Sequence, residues 1–218
     1  MKLFAAFALS LLLTAVSLAD GWVLKPPYAA HGKAVWKVSV KATVGGAEHD
    51  VQFKRTLTID PKVDDGAKGK ESWTDFLFDG NADPDQDATW DIALKGDGSV
   101  ATAGESGDYV KMVSPFFVVY PNKEVKKGDK WTAKLKPSAA DKEIGVEYEV
   151  LDEAKVGDAD ALKVKATFSG EGPFKASNTY WLSKSGEILK FELDLTSWTV
   201  PLAGQSDFDA KVTGEIVK

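Results

Sequence analysis

LKFELDLT, residues 189–196, decides the fold. Leu189, Phe191, Leu193 and Leu195 take every second position, and Lys190, Glu192, Asp194 and Thr196 fill the places between. Successive side chains of a strand point to opposite faces, so a period of two sorts this stretch into one apolar face and one charged face. The 3.6-residue period of an amphipathic helix is nearly absent from the chain.

The same alternation spreads outward in both directions. Phe208, Ala210, Val212 and Ile216 oppose Asp207, Asp209, Lys211 and Thr213. Leu162, Val164, Ala166 and Phe168 oppose Lys163, Lys165 and Thr167, and Ile144, Val146, Tyr148 and Val150 oppose Glu147 and Glu149. Trp131, Ala133 and Leu135 face away from Lys130, Thr132, Lys134 and Lys136. In the first half, Trp36, Val38, Val40, Ala42 and Val44 form one row, and Val51, Phe53, Leu57 and Ile59 form another that Arg55 interrupts. Ala88, Trp90, Ile92 and Leu94 form a third before the Gly96-Asp97-Gly98 turn. Rows that are apolar on one side and charged on the other are the pattern of antiparallel meanders with one wet face.

Such a sheet cannot leave its inner face open. Each apolar side chain gains roughly 1.5–3 kcal/mol on burial, so four per strand over several strands exceed a domain's whole net stability. The helix-like pieces near residues 28–33 and 138–142 are too short to cover a broad sheet. The sheet must close on itself, pack against its other half or enclose a ligand. The expected fold is therefore all-β, a large curved antiparallel sheet of half-barrel or barrel-like form with few short helices.

The first residues bear on compartment. Met1 and Lys2 give a basic start, residues 3–18 are apolar apart from Ser10, Thr14 and Ser17, and Ser17-Leu18-Ala19 fits a small-x-small cleavage site. The expectation is a signal peptide over residues 1–19, cleavage near Ala19 and a periplasmic or secreted domain over 20–218. The apolar run falls short of the roughly 20 residues of a spanning helix, so no membrane span is expected. With no cysteine there is neither a disulfide, a catalytic thiol nor a lipid-bearing cysteine. No Asn-x-Ser/Thr acceptor occurs, which favours a bacterial exported protein. A net charge of −6 argues against nucleic acid and anionic membrane surfaces as partners. Gly32 to Trp36 and Gly128 to Trp131 open comparable strands, so two related halves, near 30–112 and 125–217, compete with chance likeness of Gly-led hairpins. Residues 113–128 then form a connector.

Val125-Lys126-Lys127-Gly128-Asp129-Lys130-Trp131, with Tyr180-Trp181-Leu182 and Gly186-Glu187-Ile188-Leu189-Lys190-Phe191, resembles uncharacterised exported bacterial domains. Their long antiparallel strands curl into a half-barrel similar to the outer-membrane lipoprotein carriers. The likeness spans roughly residues 30–217. It implies a concave apolar cradle for acyl chains or another hydrophobic small molecule or lipid. The chain departs from the carriers in lacking a clear helix to plug that cradle, and no functional residue carries over.

Three sets of residues are candidates for a site. Asp79, Asn81, Asp83, Asp85 and Asp87 stand at every second position, as oxygen ligands for calcium would. Counted from Asp79, however, the places an EF-hand gives to Gly and Glu hold Pro84 and Trp90, and ordinary hairpin-loop material is the competing reading. Trp36, Trp90, Trp131, Phe168 and Phe191 lie on apolar rows, where they pack a core or line a ligand cavity. Trp181 and Trp198 have ambiguous facing, and Trp22 and Trp73 have none assigned. Lys123, Lys126, Lys127 and Lys130 are interrupted by Glu124 and Asp129, as in a solvated loop.

Catalytic motifs are missing. His31 and His49 read as surface residues, and neither a Gly-x-Ser-x-Gly elbow, a His-Glu-x-x-His helix nor a phosphate loop is present. The expectation is a non-enzymatic binding or carrier protein without a cofactor, whose concave apolar face takes a lipid-like ligand. An extracellular β-sandwich that binds glycan or protein, with calcium, is the alternative, and a hydrolase stands third.

Overall fold

The computed structural model describes residues 21–27, 32–60, 66–137, 141–175, 177–200 and 207–217. The signal-peptide reading of residues 1–19, His31 and most of the two helix-like pieces lie outside them. Fourteen strands run β1 Trp22–Leu24, β2 Lys33–Val44, β3 Ala47–Asp60, β4 Gly66–Phe78, β5 Asn81–Ala82, β6 Ala88–Lys95, β7 Val100–Ala103, β8 Lys123–Val125, β9 Lys130–Leu135, β10 Ile144–Val156, β11 Ala159–Phe168, β12 Ser177–Leu182, β13 Ile188–Thr199 and β14 Asp207–Ile216. Twelve of them form one antiparallel sheet, in the order β7-β6-β4-β3-β2-β14-β13-β12-β11-β10-β9, with β5 attached to β4. The sheet curves without closing into a barrel. It is not the pair of facing sheets that a β-sandwich requires.

The period-two reading holds along most strands. Trp36, Val38, Val40 and Ala42 are buried on β2, and Phe191, Leu193 and Leu195 on β13, with the intervening residues exposed or half-buried. Val44 ends its row exposed, and Arg55 and Leu189 differ in other ways. Arg55 does not break its row but completes it, fully buried between Phe53 and Ile59. Leu189 leaves its row: the register shifts where Trp181 and Leu182 pair with Lys190 and Ile188, so Ile188 takes the inner place. Leu189 packs instead with Val156, Ala161 and Trp181 in a separate outer cluster, with the ammonium groups of Lys163 and Lys190 over the Trp181 ring.

The inner face is covered by the chain's own connector. After β7 comes a helix, α1 Gly107–Val113, and then a 3-10 turn, Ser114–Phe116. Ser106 at the extended position before α1, Asp108 in its first turn and Pro115 after it are ordinary start and stop signals. Residues 116–120, Phe-Phe-Val-Val-Tyr, then run through the core with every residue buried. A plugging segment is therefore present, contrary to the expectation of a chain with no helix for that purpose.

Irregular backbone inside a core needs partners for its N–H and C=O groups. Polar tips of the strand aromatics supply them here. Trp198 donates its indole N–H to Met112 O (3.1 Å), Tyr180 its hydroxyl to Pro115 O (2.6 Å) and Trp131 its indole N–H to Val119 O (2.8 Å). The Tyr148 hydroxyl accepts from Val119 N–H at 3.1 Å, and Asp97 O accepts from Tyr120 N–H at 2.7 Å. Burial pushes the Tyr148 and Tyr180 phenols well above their usual range. At the end of the sheet where Tyr120 donates to Gly186 O (2.6 Å), β1 and β8 pair as a two-stranded ribbon that buries Trp22, Leu24 and Val125.

Candidate functional site

At the opposite end, two irregular residues turn aromatic side chains inward. Asp75 adopts a left-handed φ of 59°, and the β3–β4 register shifts between Gln52 and Lys54 beside it. An extra residue in a strand moves the following side chains to the other face. After Trp73, the inward places therefore fall to Phe76 and Phe78. Ser197 on β13 has a φ of 49° within a second register shift, between Leu195 and Trp198, and this turns Trp198 inward. Short polar residues tolerate this conformation best, and both are held: Lys54 pairs with Asp75 at 2.5 Å, and Ser197 N–H donates to Asp209 at 2.9 Å.

These residues enclose a cavity of about 500 Å³. Its walls come from Val40 and Ala42 on β2, Val51 and Phe53 on β3, Trp73, Phe76 and Phe78 on β4, and Trp198, Val200 and Phe208 across the β13–β14 junction. The rings pack in sequence. Phe53 stacks on Trp73 (4.6 Å) and Phe76 (4.9 Å), Trp73 lies 6.2 Å from Trp198, and Trp198 meets Phe208 edge-on at 5.6 Å. The mouth is marked by Val44 and Phe78, two of the few large apolar residues left exposed, at 37 % and 42 %. Cavities that take small molecules are mostly apolar, span roughly 300–1,000 Å³ and carry a few polar groups at the edge.

Those edge groups are His49, Asp83 and Gln86. The aspartate comb thus lies at the mouth, but it does not converge on one point. Residues Pro84–Gln86 form a 3-10 turn, so the alternation that would align the five side chains is lost midway. Asp79 instead accepts from the His49 ring (2.9 Å) and from Asp50 N–H (2.9 Å), and these bonds hold its carboxyl below the usual range. Asn81 donates to Asp79 O at 3.4 Å, Asp87 accepts from Phe76 N–H at 3.4 Å, and Asp85 points to solvent. Among the described residues, no three His, Cys, Asp or Glu side chains form a metal-binding group. His49 also packs on Phe78, with ring centres 4.9 Å apart.

The five aromatics singled out by strand alternation are all buried, and none lines this cavity. Trp131 stacks on Tyr148 (4.9 Å), Phe191 meets Phe116 edge-on (5.4 Å), Phe168 packs on Phe174 (5.7 Å) and Trp90 on Trp73 (5.5 Å). Trp36 donates to Ile188 O at 2.8 Å and borders a second, smaller cavity of about 60 Å³. Arg55 also borders it. Its Nε and Nη2 donate to Glu71 at 2.8 and 3.1 Å, Trp73 Nε1 donates to the same carboxylate at 2.8 Å, and Nη1 is buried without a partner. The guanidinium lies over the rings of Trp36, Phe117 and Phe116 at 4.7, 4.7 and 5.2 Å.

No protein-family model and no curated protein matches the chain. Solved structures do. Its likeness is to a barrel-like domain and to domains of exported and lipoprotein-sorting proteins. They include a β-barrel-like domain of unknown function from Brucella abortus, 9% identical with a TM-score of 0.35, where the match covers 85% of this chain and 95% of that one. A Bacteroides fragilis protein described as exported, with a YmcC-like fold, is 10% identical with a TM-score of 0.34, over 91% of this chain and all of that one (100%). An outer-membrane lipoprotein-sorting protein domain from Vibrio parahaemolyticus is 10% identical with a TM-score of 0.25, over 86% and 84%. At these identities and scores the likeness extends to the class of architecture alone. Among the described residues no helix is long and apolar enough to cross a membrane.

Proposed function

We propose that this protein is an exported, non-catalytic binding module that takes one apolar or amphiphilic small molecule in the cavity between Phe53, Trp73, Phe76, Trp198 and Phe208. The observation that carries this reading is the contrast between the two ends of the inner face. One end is sealed by the plug and the β1–β8 ribbon, whereas the other keeps about 500 Å³ of aromatic-walled space behind an exposed apolar mouth. Exposed apolar surface at a concave opening is costly in water unless something covers it. Export rests on the leader-like character of residues 1–19.

Tryptophan fluorescence tests the reading, because Trp73 and Trp198 stand in the wall. Titration with decanol should give saturable quenching or blue shift at a 1:1 ratio. Val51→Trp, which adds bulk from a half-buried wall position on β3, should weaken that binding at least tenfold while far-UV circular dichroism stays unchanged. Unsaturable binding, or undiminished binding in a folded Val51→Trp variant, would refute the proposal.

A further inference from the structure

Acids outnumber bases at the mouth of the cavity. Asp83 lines the cavity itself, half-buried, and among the described residues its carboxylate has no hydrogen-bond or ion-pair partner. Backbone pairing places it beside Phe76, whose O accepts from Asp83 N–H at 2.9 Å. Asp85 follows in the turn, exposed, and Asp79 and Asp50 lie on the neighbouring hairpins. Among the described residues no lysine or arginine lines the cavity, and His49, the basic side chain that does, is already bound to Asp79. Of the nearby cations, Lys41 is shared between Glu48 (3.4 Å) and Asp50 (3.2 Å), and Lys54 is held by Asp75 (2.5 Å).

A half-buried carboxylate without a partner is poorly placed unless a cation reaches it, since it gives up part of its hydration and gains nothing in exchange. The walls next to it favour the same charge. The faces of aromatic rings are negative and attract ammonium groups within about 6 Å, and aromatic walls with a nearby carboxylate are the usual chemistry of alkylammonium recognition. A fatty acid or phosphate head would meet the Asp83 carboxylate, while the nearby His49 and Lys41 are already engaged by Asp79, Glu48 and Asp50. A neutral head would leave Asp83 unpaired.

Building on the function proposed above, we infer that the ligand is a cationic amphiphile: its hydrocarbon part fills the aromatic cavity, and its ammonium head sits at the mouth between Asp83 and the faces of Phe76 and Phe78. The acidic comb then has a use that needs no metal. It concentrates cations at the opening, and Asp83 alone makes the contact.

Three probes that share one chain separate the head from the tail: decyltrimethylammonium, decanol and decanoate, each below its micelle-forming concentration, followed by tryptophan fluorescence and calorimetry at low ionic strength. Decyltrimethylammonium should bind about tenfold more tightly than decanol, and decanoate more weakly than decanol. Asp83→Asn preserves shape and removes no bond of the fold. It should abolish the ammonium preference, so that decyltrimethylammonium and decanol bind the variant equally. Equal affinity for decanol and the ammonium overturns the inference and leaves the cavity reading standing. A preference that survives Asp83→Asn also overturns it, because the cation is then only adsorbed on the acidic surface. Failure of all three probes to bind removes the cavity reading, and this inference with it.

Discussion

Replacing Glu71 by leucine removes the acceptor of three hydrogen bonds in a place water does not reach. The carboxylate holds Arg55 Nε, Arg55 Nη2 and Trp73 Nε1 at 2.8, 3.1 and 2.8 Å, and both charged residues are 0% exposed. In Glu71→Leu the guanidinium keeps only the ring faces of Trp36, Phe116 and Phe117. Cation–π contact contributes about 1–2 kcal/mol, far less than the hydration an isolated buried cation has lost. Breaking one side of a buried pair costs about 3–5 kcal/mol, a large part of the 5–15 kcal/mol by which a domain is stable. Arg55→Met should cost a similar amount, since Glu71 then keeps Trp73 alone. In the double variant no charge is left, and the remaining cost is the orphaned Trp73 N–H, about 1–3 kcal/mol. Urea unfolding followed by circular dichroism should therefore show the double variant more stable than either single one, and at least about 3 kcal/mol above the sum of the two losses. Singles that each cost under about 1 kcal/mol, or losses that simply add, would show that the pair is not buried and mutually dependent as described.

The phenols give an alkaline signature. Burial raises Tyr148 and Tyr180 above the ordinary 10.0, so their stabilisation is complete below about pH 10 and is lost as pH climbs toward their folded values. Absorbance at 295 nm should show that these two of the five tyrosines ionise only as the protein unfolds. At the acid side, Asp79 is held below the ordinary 3.8, first by His49, so its contribution is present above that pH and fades as pH falls below it. Asp79→Asn should flatten the fall of Tm between pH 5 and pH 3, and an unchanged slope would dismiss the His49 contact.

Strand by strand, most of this fold was written in the period-two rows. What the rows could not show is where the period slips. Phe76, Phe78 and Trp198 belong to the cavity because Asp75 and Ser197 each insert a residue with positive φ, and neither residue type announces a bulge. The facing of Trp73 and Trp198 was unreadable for the same reason. The plug escaped differently. Seven residues of α1 make barely two turns, too few for a 3.6-residue period to emerge, and residues 116–120 are buried all round and so show no period at all. A continuous apolar run inside an apparent connector was the available signal. The aspartate comb shows the opposite limit, since its regular spacing in sequence is broken by the turn at Pro84–Gln86.

Length explains why the cavity lies where it does. At about 3.3 Å per residue, the 14 residues of β3 span about 46 Å. The seven residues of α1 add about 10 Å to the plug, and the extended run that follows adds about 17 Å, so the plug falls well short of the longest strands. The surplus is at one end. β4 pairs with β6 only as far as Trp73, opposite Ala88, and beyond it runs between β3 and the two-residue β5, which pairs with Leu77 and Phe78. The β1–β8 ribbon closes the other end, and the aromatic-walled cavity opens at this projecting part of the sheet. Strands that outrun their own filling must either collapse, carry polar inner residues or admit a guest. Here the inner residues are aromatic, and bulges keep them pointing inward.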